Sequence, residues 1–83
     1  MGGYTKLDWE IGVADSRALR TPDGSLAEEM AQGYTMGLRA AQRPDSGKSD
    51  LMRSDTAYAE YWRKGRDRGI EVLAEMARRA SLG

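Results

Sequence analysis

The chain has no cysteine, no histidine and no phenylalanine among its 83 residues, and only two prolines. Without cysteine there is no disulfide framework, the usual prop of a small domain. Without cysteine or histidine the common zinc sites have no ligands, so no metal site is expected. No apolar run approaches the length of a membrane span. No signal-peptide pattern opens the sequence, and Lys6 stands where a myristoylation motif beginning at Met1-Gly2 needs Ser or Thr. The expected address is the cytoplasm. Net charge is also absent: 13 basic side chains balance 13 acidic ones.

That balance hides an uneven placement. Residues 1–37 carry three basic side chains (Lys6, Arg17, Arg20) against six acidic ones, and residues 38–83 carry ten against seven. Opposed halves favour folding of the front onto the back, docking of another copy, or steering of a partner. With so little chain, one domain spanning 1–83 is the limit, and its core is small.

Within that domain, residues 1–24 read as a strand-and-turn segment and 25–80 as a helical hairpin. Leu7-Asp8-Trp9-Glu10-Ile11-Gly12-Val13 alternates apolar and polar, the period of a half-buried strand. A helical stripe through Leu7, Ile11, Ala14 and Ala18 competes with it. The strand over about 6–13 is preferred because Trp9 and Val13 interrupt that stripe and Gly12 weakens a helix. A second strand over 17–21 would give it a partner. Leu7, Trp9, Ile11 and Val13 are otherwise candidates for self-association, making a homo-oligomer the expected state.

Thr21-Pro22-Asp23-Gly24 marks a turn. Ser25 and Glu28 fit a capping box, opening a helix over about 25–42 with Leu26, Met30, Tyr34, Leu38 and Ala41 inward. Arg43-Pro44 ends it. Residues 44–54 form a polar connection. Ser54 or Asp55 caps a second helix over about 55–80, whose inner stripe is Tyr58, Trp62, Gly65, Gly69, Leu73, Met76 and Ala80. The connection is read as short enough to set the two helices antiparallel. The fold class is thus mainly α, with a short N-terminal strand or β-hairpin.

Gly33 and Gly37 are four apart on the first helix, and Gly65 and Gly69 four apart on the second. Each costs about 1 kcal/mol against alanine in a helix interior. Such costs point to backbones that must approach closely, through the steric logic of small residues at four-residue spacing. The facing helix is the expected neighbour, with Tyr34 and Trp62 on the flanks.

Chemistry-bearing motifs are sparse. Gly47-Lys48-Ser49 resembles the end of a P-loop, but Gln42 stands where its first glycine belongs, and it reads as a solvated turn. Asp45, Asp50 and Asp55 have no nucleophile or histidine to work with. No catalytic residue and no cofactor are expected. Arg39, Arg43, Lys48, Arg53, Arg63, Lys64 and Arg66 are candidates for binding RNA or another partner, with Tyr61 at the rim. Against this, Glu60 precedes Lys64 by four and Arg63 precedes Asp67 by four, the pattern of a salt-bridged solvent face.

Ala31-Gln32-Gly33-Tyr34-Thr35-Met36-Gly37, a proline-bearing loop at Pro44 and Trp62-Arg63-Lys64-Gly65 together resemble the ribosome modulation factor-like family over residues 27–69. That family shows a Gly-Tyr-x-x-Gly helix and a Trp-x-x-Gly helix. The resemblance implies a two-helix fold with Gly33, Tyr34, Gly37, Trp62 and Gly65 as its structural signature. It also implies binding to ribosomal RNA and protein, with Arg63, Lys64 and Arg66 facing RNA. This chain departs from the pattern in its longer loop, in Arg66 where a second tryptophan belongs, and in its neutral charge. Drug phosphorylation belongs to another branch, and the broken P-loop lends it no support here. The expected function is a non-enzymatic binding protein that occupies a site on a larger assembly, the ribosome or its RNA. The alternative is a phage or mobile-element inhibitor of a host protein machine, in the manner of an anti-CRISPR.

Overall fold

A computed structural model describes residues 5–43 and 55–82. They form three helices: α1 (Lys6–Leu19), α2 (Leu26–Ala40) and α3 (Ala57–Leu82). The chain is mainly α, and no strand occurs among the described residues. None of these helices is long and apolar enough to cross a membrane.

The first correction concerns residues 6–13 and 17–21, which are not strands. Thr5 caps α1 through a reciprocal box: its hydroxyl accepts from the Asp8 amide at 3.1 Å, and the Asp8 carboxylate accepts from the Thr5 amide at 3.1 Å. This satisfies two orphan donors of the first turn. The helical stripe then does the packing. Leu7, Ala14 and Ala18 are buried and Ile11 is half-buried against the core, while Trp9 and Val13 point outward. Alternation over seven residues fits both periods. The residues that looked like interruptions simply occupy the opposite face. Arg17 lies inside α1, and Arg20 caps it.

Gly24, at φ +74°, makes the turn into α2. The Ser25 hydroxyl accepts from the Glu28 amide at 3.1 Å. The Glu28 carboxylate reaches the Gly24 amide at 2.9 Å, one residue upstream of the partner expected from a strict box. At the start of α3, Thr56 is the capping side chain, accepting from the Ala59 amide at 3.1 Å, in place of Ser54 or Asp55. The Gly47-Lys48-Ser49 turn, with the rest of the polar connection over 44–54, lies outside the described residues.

The second correction concerns direction. Along α2 and α3 the facing positions rise together: Gly33 with Tyr58, Gly37 with Trp62 and Arg66, Leu38 and Ala41 with Gly69. The two helices therefore run parallel, not antiparallel. α1 runs against both, with Asp15 near Arg39, Glu10 on Arg68 and Lys6 on Glu75. The hairpin is α1–α2. The segment between Ala41 and Ala57 holds 15 residues. Fully extended it spans on the order of 50 Å, more than the roughly 18 Å needed to return to the start of α3. A connection of that length does not dictate direction, and the antiparallel place beside α2 is taken by α1.

The glycines do what their spacing requires. A Cβ on Gly33, Gly37, Gly65 or Gly69 would come within 3.0 Å of the opposite helix: the Tyr58 carbonyl, the Trp62 carbonyl, the Tyr34 carbonyl and the Ala41 methyl, respectively. All four are buried. Beside this seam lies the small apolar core of Leu7, Ala14, Leu38 and Val72, flanked by Ile11, Tyr34, Leu73 and Met76. Trp62 is buried, while Ala80 of the expected inner stripe is exposed.

Ion pairs hold α1 to α3. Arg68 grips Glu10 through two bonds, Nε at 2.9 Å and Nη2 at 2.8 Å, and also meets Glu71. Such a fork is the strong form of the interaction, and it raises the Arg68 pKa above its ordinary value. Lys6 meets Glu75 at 3.4 Å and lowers that carboxyl below its usual range. Asp8 is lowered in the same direction, chiefly by the Thr5 amide.

Two predictions follow from packing and charge. Gly37→Leu or Gly65→Leu drives a side chain into a facing backbone, and is expected to cost about 3 kcal/mol or more. Thermal melts should fall by roughly 12 °C or more. Ala74→Leu, at an exposed position on α3, should leave the midpoint nearly unchanged. Acid should destabilise the fold. Asp8 and Glu75 have folded-state pKa values below their unfolded ones. The stability they contribute is therefore present above the unfolded values and is lost as pH falls through the folded ones. Urea midpoints measured downward from about pH 5 should drop, and Glu75→Gln should drop less steeply.

Candidate interaction surfaces

The three helices close on one another around Leu7, Leu38 and Val72 and open at the other end of α2. There, between the second half of α1, the first half of α2 and Tyr61 of α3, lies an open groove of about 580 Å³. Its walls are mostly apolar, with Ala14, Leu26, Met30, Tyr34 and Tyr61 among them. Leu26 is 62% exposed. Arg17 stands at the α1 rim; among the described residues no acidic side chain lines the groove and Arg17 makes no ion pair. On the far wall Lys64 lies over the Tyr61 ring, 4.4 Å from its centroid. Burial first, and then the Glu10 carboxylate, push the Tyr34 phenol above its ordinary pKa, so it stays neutral and can donate.

The sequence candidates fall into three groups. Gly33, Tyr34, Gly37, Trp62, Gly65 and Gly69 meet at the α2–α3 seam, where the glycines and Trp62 are buried and Tyr34 is half-buried against the core. They are structural. The cations do not gather into one free strip. Arg39 lies 4.0 Å from Asp15, and Lys64 lies 3.5 Å from Glu60. Arg43 and Arg63 are exposed, each engaged in an interaction, and Arg66 is half-buried beside Gly37. Lys48 and Arg53 lie outside the described residues.

The self-association set splits. Leu7 and Ile11 turn into the chain's own core, and only Trp9, 57% exposed, and Val13, 38% exposed, remain outside. This corrects the grouping of all four on one surface, since a helix sends positions 7 and 11 opposite to 9 and 13.

Sequence reasoning missed the groove. Leu26 and Met30 read as core positions by spacing, and Arg17 falls in the segment offered as one of two partners for a strand. The available signal was the Leu7, Ile11, Ala14, Ala18 stripe, which places Arg17 on a rim once α1 is helical.

Among the described residues no group of three or more acidic, histidine or cysteine side chains is arranged to hold a metal. The groove's polar side chains are Arg17, Thr21, Tyr34 and Tyr61. They suit orientation of a bound group by hydrogen bonds and charge. Comparison with family models, curated proteins and solved structures gives no match.

The groove and core assignments predict different costs for two leucines of one helix. Leu38→Ala, at a fully buried position, should cost about 2–5 kcal/mol. Leu26→Ser should change stability by about 0.5 kcal/mol or less, because its side chain already faces solvent. Denaturant melts of both variants make the comparison.

Proposed function

We propose that this chain is a non-enzymatic binding module that occupies a site on a larger macromolecular assembly, and that it recognises a protein component through the groove among α1, α2 and α3. The observation that carries this reading is an open apolar groove with Arg17 at its rim, in no ion pair among the described residues, while Lys64, Arg68 and Arg79 of α3 each meet an acidic partner. Apolar clefts with a few placed polar groups are the usual form of a recognition site. Phosphate binding, by contrast, draws on uncompensated positive charge.

The resemblance to the ribosome modulation factor-like family makes the ribosome the first assembly to test. A second reading, direct contact with ribosomal RNA through Arg63, Lys64 and Arg66, draws support from one observation. The signature residues Gly33, Tyr34, Gly37, Trp62 and Gly65 all meet in one seam, as a shared fold requires. A host protein machine blocked by a phage-encoded inhibitor is an assembly of the same general kind as the first reading.

Salt and nuclease separate these readings. The tagged chain is incubated with ribosomes and with cleared extract at about 50 mM and about 200 mM salt, with and without nuclease. Under the protein reading the complex survives both treatments, and Met30→Glu weakens it at least tenfold. Collapse on nuclease treatment, or a steep loss with salt that Arg63→Glu reproduces, transfers the contact to RNA. Absence of any complex removes the binding-module reading.

A further inference from the structure

The outer face of α1 is not used by the fold or by the groove. Trp9, Val13, Ser16 and Arg20 recur at spacings of four, three and four, which align on one side of a helix. All four are exposed. With Gly12, and with Arg17 at its rim, they border a shallow hollow of about 450 Å³ on the helix surface. The stripe has a large aromatic near one end, small residues in its middle, and an arginine at the other end. Among the described residues Arg20 makes no ion pair and no acidic side chain borders the hollow.

We infer that this face binds a second copy of the chain, with the two α1 helices antiparallel across a two-fold axis near Val13. A two-fold contact places the same patch on both sides, so the patch must complement itself when reversed. This one does. Reversal sets each Trp9 indole over the partner's Ser16, with the partner's Arg20 against the ring. Gly12 and Ser16 leave room for the indole, and the two Val13 side chains meet at the axis. A guanidinium on an indole face is attractive in its own right, and the reversal forms that contact twice. A parallel pairing would instead oppose Arg20 to Arg20. The contact spans three turns of one helix, so it falls at the small end of protein interfaces, below about 1,200 Å² in total. The dimer is correspondingly weak and transient.

Sedimentation of the full chain from about 5 µM to about 1 mM tests the inference across that range. The average mass should rise toward twice the monomer value. Trp9→Ala and Arg20→Glu should each weaken association at least tenfold, while dilute samples keep the wild-type helical circular dichroism because both side chains are solvent-facing. Since the chain has no cysteine, Val13→Cys should cross-link rapidly under mild oxidation. Leu19→Cys, exposed on the same helix but off the stripe, should not. A monomer at the highest concentration overturns the inference. So does a dimer untouched by Trp9→Ala, or equal cross-linking at the two positions.

Discussion

The structure depends on two helix backbones meeting without side chains between them. The Tyr58 and Trp62 carbonyls lie over Gly33 and Gly37, and the Tyr34 carbonyl lies over Gly65. The contact is mutual: each helix supplies glycines and presents carbonyls. That geometry fixes register, because a shift of one residue would bring a side chain against a backbone. It also fixes direction, because facing positions rise together along α2 and α3. A chain with a small core gains in this way a contact whose specificity is steric and whose area comes largely from main chain. The cost in helix propensity, about 1 kcal/mol per glycine, is offset by close packing along the seam.

α1 completes the fold by a different kind of contact. Its Leu7 enters the core beside Leu38 and Val72. Its Glu10 and Lys6 are tied to Arg68 and Glu75 on α3. These ties sit toward the start of α1. Its second half lies farther from α3, which leaves Met30, Tyr34 and Tyr61 only partly covered. The groove is therefore a consequence of how a short helix is anchored. A protein with few large apolar residues closes one end of its core and leaves the other open to something else. Of the paired cations on α3, Arg68 ties that helix to α1, while Lys64 and Arg79 meet acids one turn away on the same helix.

Legibility in the sequence followed the range of the interactions involved. The end of α2 near Gln42, the start of α3 near residue 55 and the inward side of α3 as far as Met76 were readable, because caps and stripes are local. The strand reading of 6–13 failed because alternation over seven residues is compatible with both periods, and because Asp8 was not recognised as the partner of a Thr5 cap. The antiparallel reading failed because loop length bounds distance without choosing direction. Among the charged candidates, the pairing of Lys64 with Glu60 follows i, i+4 spacing and is visible in the sequence, whereas that of Arg39 with Asp15 depends on a tertiary neighbour and is not.

What the amino-acid order indicated alone was that glycines at four-residue spacing on two helices mark a close approach, which Gly33, Gly37 and Gly65 make to a backbone and Gly69 to the Ala41 methyl. It determined the helical character of α2 and α3 by the same local rules. Only the tertiary structure decided which backbone met which, that α1 lies antiparallel to both partners, and that Leu26 and Met30 line an opening instead of filling a core. The reason is physical. Spacing along a helix sets which side chains share a face, but what that face meets depends on residues far apart in the chain.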